Sequence, residues 1–146
     1  MSEVSEVSEE SFVAWTLVRA SHVVARGFTA VFAQVGLTPT QFGVLAHLAD
    51  EPALTQAELA RRVLVRPQSL GELLVPLLER GLVSRDGPGG RGRRSGIAIT
   101  DAGRELVAAA LPGVRRFEAG LGLDPGQLRT LDDLLHTVLR TLGEDG

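Results

Sequence analysis

Cysteine is missing from this chain, and so is lysine. Without cysteine there is no disulfide, no thiol redox sensor and no cysteine–zinc site, and a reducing interior suits the sequence. All 15 basic residues are arginine, whose planar fork suits phosphates and base edges. The first ten residues, MSEVSEVSEE, are acidic where a secretory leader would be basic and then apolar, so no signal peptide is expected. The most apolar long segment, residues 12–35, is broken by Arg19, His22 and Arg26 and does not read as a membrane span. A cytoplasmic location is the expectation. There is no phosphate loop of Walker type, no dinucleotide fingerprint and no Gly-x-Ser-x-Gly turn, so neither catalysis nor a cofactor is expected. The histidines, His22, His47 and His136, are too scattered to suggest a zinc site.

What the chain does have is an uneven distribution of charge. Its net charge is −3, which argues weakly against a nucleic-acid partner. Between Arg61 and Arg104, however, nine arginines face four acids, a surplus of five positive charges; the rest holds six arginines against fourteen acids. A basic block inside an acidic protein is an electrostatic footprint for a polyanion.

Hydrophobic residues make up 44% of the 146 positions, enough for one domain with an appended helical element. The segment from Arg66 to Val83 carries Leu70, Leu73, Leu74, Leu77 and Leu78 at helical spacing, a single apolar stripe. Pro67 suits its first turn and Gly81 its stop. Its opposite face opens with Arg66, Gln68, Ser69, Gly71 and Glu72, short or polar side chains that a major groove can receive. Pro76 lacks an N–H and predicts a kink. Upstream, a helix is expected from about Phe12 to Val35, ended by Gly36. Thr38 and Gln41 form one capping box, and Thr55 and Glu58 another that opens a short helix through Arg62. Two short helices in tight succession, the second amphipathic, make a helix-turn-helix.

After Gly81 the period changes. Residues 82–85 and 95–100 read as two strands of a hairpin with the tip DGPGGRG, a wing carrying Arg91, Arg93 and Arg94. Thr100 then starts a helix to about Gly120, interrupted at Pro112-Gly113, and Asp124 caps a last one with leucines in period. Both ends of the chain thus carry surplus apolar surface, which favours a dimer over an intramolecular helical arrangement.

The segments Leu37-Thr38-x-x-Gln41, Leu54-Thr55-Gln56-x-Glu58-Leu59-Ala60, Leu78-Glu79-Arg80-Gly81-Leu82-Val83 and Ile99-Thr100-x-x-Gly103, in this order and spacing, resemble the MarR family of winged-helix regulators. The resemblance covers nearly the whole chain from about residue 12. It implies a mainly α fold with a two-stranded β wing: residues 37–103 as the winged helix-turn-helix, 11–36 and 104–146 as the dimerisation helices, and 1–10 as a frayed tail. It also implies a homodimer on a pseudo-palindromic operator in double-stranded DNA, most often a repressor, released by a small aromatic effector bound between the dimer helices and the DNA-binding lobe. The chain departs from the family's pattern in three ways. Arg91 stands where a wing Asp usually supports the following arginine, here Arg93; Glu72 and Pro76 replace basic residues; and Arg66 replaces a capping Ser or Thr.

The expected DNA contacts are Arg61 and Arg62 to phosphates, Arg66 at the opening of the polar face, Gln68, Ser69 and Glu72 to bases, and Arg91, Arg93 and Arg94 to the backbone or minor groove. Trp15, His22, Phe28, Phe42 and His47 are candidates for an effector cleft, although helical spacing alone makes the aromatics core. The competing reading is a winged-helix protein-interaction module that no longer binds DNA, with Glu72 and Pro76 as its support.

Overall fold

A computed structural model describes residues 12–86 and 96–143. Six helices alternate with a small sheet. The first helix, α1 (Val13–Ala33), starts at Phe12 without a side-chain cap. It ends where Gly36 takes a left-handed backbone (φ +73°), which lets the Leu37 N–H reach the Phe32 carbonyl at 3.0 Å. Helix α2 (Pro39–Asp50) opens on the expected box: the Gln41 N–H donates to Thr38 Oγ1 at 3.1 Å, and the Thr38 N–H to Gln41 Oε1 at 3.0 Å. Thr55 and Glu58 repeat the device at the head of α3 (Gln56–Val63).

Helix α4 spans Pro67–Glu79. Leu70, Leu74 and Leu77 of its stripe are fully buried, and Leu73 and Leu78 pack against the same core. The stop is a Schellman turn: Gly81 has φ +70°, its N–H donates to the Leu78 carbonyl, and the Leu82 N–H donates to that of Leu77. The helix runs on through Pro76. The carbonyl that this proline leaves without a partner belongs to Glu72, an exposed residue, so solvent can take the missing bond.

The sheet departs from expectation in size. The hairpin strands β2 (Val83–Asp86) and β3 (Gly96–Ile99) pair antiparallel, Val83 opposite Ile99 and Asp86 opposite Gly96. A third strand, β1 (Leu54–Thr55), adds to the other edge of β3, with Leu54 opposite Ile97, for an order β1-β3-β2. The expected two-stranded wing is therefore three-stranded at its base. Leu54 is buried there beside the fully buried Ile97, and this contact fixes the stub that precedes α3.

Helix α5 (Asp101–Ala119) corrects a second expectation, since Pro112-Gly113 does not interrupt it. Pro112 is exposed, and the carbonyl it orphans is that of exposed Ala108. Gly113 faces Val31, and Gly27 leaves space for the Phe117 ring, so α1 and α5 approach closely along small residues. Helix α6 (Pro125–Leu142), capped by the Asp124–Gln127 box, has no buried residue at all. The core lies elsewhere, between the end of α1, α2, α3, α4 and β3, around Phe32, Leu45, Leu48, Leu59, Leu74 and Ile97. Among the described residues no helix is long and apolar enough to cross a membrane.

Candidate nucleic-acid interface

The leucine stripe of α4 decides what faces outward. With Leu70, Leu74 and Leu77 turned into the core, Gln68, Ser69 and Glu72 are exposed on the other side of its first two turns. No side chain caps that end: Arg66, at the N-cap, makes no cap hydrogen bond. The first N–H groups of α4 are therefore open to a ligand and carry the positive pole of the helix.

The turn between α3 and α4 sets where this end points. Leu64 adopts a left-handed backbone, φ 58° and ψ 45°, and the Val65 N–H closes onto the Ala60 carbonyl at 3.0 Å. Gln56, in the first turn of α3, donates through Nε2 to the Pro67 carbonyl at 3.3 Å. Gly71 faces the same amide nitrogen, and a Cβ there would sit 3.2 Å from it. A side chain at position 71 would make the Gln56 amide shift and strain its bond to the Pro67 carbonyl.

The basic block separates into three groups. Arg61, Arg66 and Arg85 are exposed and make no hydrogen bond or ion pair among the described residues. Arg62 Nη2 lies 3.2 Å from Glu51 Oε1, both side chains being partly exposed, so this cation is already partly neutralised. Arg80 and Arg104 are exposed as well, but their guanidinium groups lie along the surface and donate to backbone carbonyls at α1's end and in α2. Arg91, Arg93 and Arg94 lie outside the described residues. Arg85, at the base of the wing, was not among the expected contacts; only its membership of the basic block pointed to it.

One carboxylate in this region is perturbed. The Thr55 side chain and then the Thr55 N–H hold Glu58 below the ordinary value of 4.5, burial opposes them, and the nearby Arg61 and Arg62 lower it further. Glu58 is thus an anion that steadies the start of α3 while sharing the field of two arginines at its end.

The proposed cleft residues fall into two places. Phe28 packs edge-on against Phe32 with centroids 5.1 Å apart and lies as close to Phe117; Phe42 stacks on Phe32 at 4.4 Å. Trp15 and His22 are exposed farther up α1, with Trp15 about 20 Å along the helix from Phe28 at 1.5 Å per residue. His47 is half-buried on α2. Among the described residues no group of three or more histidines and carboxylates is arranged to hold a metal ion.

Comparison with known proteins places this arrangement. A sequence profile described as "MarR family" matches residues 35–94. The HTH-type transcriptional repressor Rv2887 of Mycobacterium tuberculosis is 31% identical over 113 residues, 77% of this chain and 81% of that protein. A crystal structure of Rv2887 in complex with salicylic acid superimposes with a TM-score of 0.70 at 30% identity, covering 88% of this chain and 96% of that one. The transcriptional repressor CouR, a Rhodococcus jostii RHA1 protein, superimposes in its complex with a 23-mer DNA duplex with a TM-score of 0.78 at 29% identity, covering 90% and 95%.

Proposed function

On the premise that this chain belongs to the MarR family of transcriptional regulators, we propose that it is a homodimeric, sequence-specific repressor that acts in the cytoplasm and is released by a small aromatic effector. The observation that carries this reading is the polar, uncapped N-terminal end of α4, held outward by three fully buried leucines and flanked by Arg61 and Arg66, which make no hydrogen bond or ion pair among the described residues. Residues 37–103 serve as the DNA-binding lobe. The helices before and after it join the two copies and set the recognition helices about one duplex turn, ~34 Å, apart. Gln68, Ser69 and Glu72 meet base edges, Glu72 accepting from a cytosine amino group and Gln68 pairing with adenine. Arg61, Arg66 and the wing arginines Arg91, Arg93 and Arg94 meet phosphates or the minor groove, and Arg62 joins them when it leaves Glu51.

Support for dimerisation comes from Val13, Trp15, Val18 and Val23 on α1 and from Leu131, Leu134, Val138 and Leu142 on α6, all of them exposed in the single chain. Support for an aromatic acid as effector is the relative crystallised with salicylic acid, together with the Phe28, Phe32, Phe42 and Phe117 cluster between α1, α2 and α5. In this reading Trp15, His22 and His47 complete the cleft only once a partner chain covers α1.

The test is a mobility shift with duplex from the chain's own upstream region at two salt concentrations. Binding that weakens steeply as salt rises is expected, with a logarithmic slope of about −0.9 per phosphate contact. Gln68→Ala should relax base preference at one position in each half-site by roughly 1–3 kcal/mol. A protein that binds no duplex at low salt would return the reading to a protein-interaction module, in which exposed Glu72 repels phosphate.

A further inference from the structure

We propose that Arg80, assisted by Arg104, is a positioning residue that fixes the angle between the DNA-reading lobe and the dimer helices. The proposal rests on the dimeric reading given above. Arg80 is the C-cap of α4, at the opposite end of that helix from Gln68 and Ser69. Its Nη1 donates to the Gly36 carbonyl at 3.0 Å and its Nη2 to the Val35 carbonyl at 3.2 Å. Both acceptors lie just past α1, where carbonyls lack helical partners and the helix dipole is negative. The seat is shaped for the guanidinium: Gly36 has φ +73°, and a Cβ there would stand 3.3 Å from Nη1.

A second arginine works the other border in the same way. Arg104, in the first turn of α5, donates through Nη1 to the Ala49 carbonyl in the last turn of α2, at 3.3 Å. At each border between lobe and long helices, one body therefore reaches across with an arginine and grips a helix-end carbonyl of the other. The apolar contacts around Phe32 and Ala110 also join the two bodies and supply the adhesion between them. The forked pair of hydrogen bonds adds a directional restraint at the rim of that contact. Helix α4 has 13 residues and is about 20 Å long, so a 10° tilt at Arg80 displaces its reading end by about 3.5 Å. That distance exceeds a hydrogen bond, so spacing between the two reading ends depends on this joint.

Because the chain has no cysteine, Ser69→Cys provides one thiol per chain for a nitroxide label at the reading end. Pulsed dipolar spectroscopy of the full-length protein then measures the distance between the two labels of a dimer. With Arg80 intact a single narrow distribution is expected. Arg80→Ala should at least double its width, and Arg80→Lys, whose ammonium reaches one carbonyl, should fall between. Adding Arg104→Ala should broaden it further. Should Arg80→Ala fail to fold, by its circular dichroism, Arg80→Lys and Arg104→Ala decide the matter. Widths equal to the parent's in the folded variants overturn the proposal while leaving the dimer standing. A parent with no dipolar signal is a single chain, and it overturns the dimeric reading together with the proposal.

Discussion

Leu64 holds a backbone conformation that glycine adopts at far lower cost. It is the one described non-glycine residue with positive φ, and it sits in the turn between α3 and α4. The left-handed region costs an L-residue roughly 1–2 kcal/mol, while glycine returns about 0.5–1 kcal/mol to the entropy of the unfolded chain. The ordinary order of substitutions should therefore invert here. Leu64→Gly is expected to be more stable than Leu64→Ala by about 0.5–1 kcal/mol in urea unfolding. The comparison removes nearly the same side chain in both variants, so lost burial cancels. An alanine variant equal to or better than the glycine one would mean that the turn relaxes out of the left-handed region. Glu58 gives a second prediction at this scale. Its carboxyl is held below 4.5 by Thr55, so the folded state binds its proton less readily than the unfolded chain does. The stability it contributes is present above pH 4.5 and is lost as pH falls through the lower, folded value. Glu58→Gln should flatten that part of the acid limb in thermal melts taken between pH 6 and 3 and lower the neutral-pH midpoint toward the acid one, because the charge-dependent contribution is then absent at every pH; an acid limb of unchanged slope counts against the assignment.

Among the elements, α4 was the most legible. Five leucines at helical spacing, Pro67 in front and Gly81 behind determine its length, its buried face and its stop, and no distant contact is needed to see them. The capping boxes at Thr38, Thr55 and Asp124 are equally local. What escaped was non-local or depended on solvent. Strand β1 is two residues long and exists because Leu54 meets Ile97, 43 positions downstream, so no periodicity announces it. Arg80 and Arg104 read as part of a basic block, yet their acceptors lie 44 to 55 residues back along the chain. Pro112 looked like an interruption, but the carbonyl it orphans belongs to exposed Ala108, where solvent can replace the bond that the proline denies. The same reasoning gives a prediction for Pro76. Pro76→Ala restores a donor for the Glu72 carbonyl, and an interior proline costs a helix about 3 kcal/mol. Against this stands the entropy the proline removes from the unfolded chain, about 1 kcal/mol. A net gain of about 1–2 kcal/mol is expected in the urea midpoint. No gain would show that the helix already absorbs the proline without strain.

On the scale of the whole molecule, the chain keeps two surfaces that a single copy leaves unused: the polar end of α4 and the apolar faces of α1 and α6. In the proposed dimer the second is closed against a partner copy, and that closure gives the first its spacing. Leu134 is 59% exposed on α6 and contributes nothing to the core, which lies between α1's end, α2, α3, α4 and β3. A symmetric interface uses each position twice. Losing the burial of one leucine removes roughly 1.5–3 kcal/mol, so Leu134→Glu removes about 3–6 kcal/mol from the dimer even before charge repulsion is counted. At about 1.4 kcal/mol per decade, the dissociation constant should weaken by at least about a hundredfold. Sedimentation at micromolar concentration is expected to show the parent as a dimer and the variant as a single chain with an unchanged far-ultraviolet spectrum. DNA binding should fall with it, because a lone lobe holds only half the contacts and forfeits the effective concentration that the second half-site enjoys. A variant that remains dimeric would move the interface off this face of α6, and a dissociated variant that still binds the duplex with parental affinity would mean that one lobe suffices.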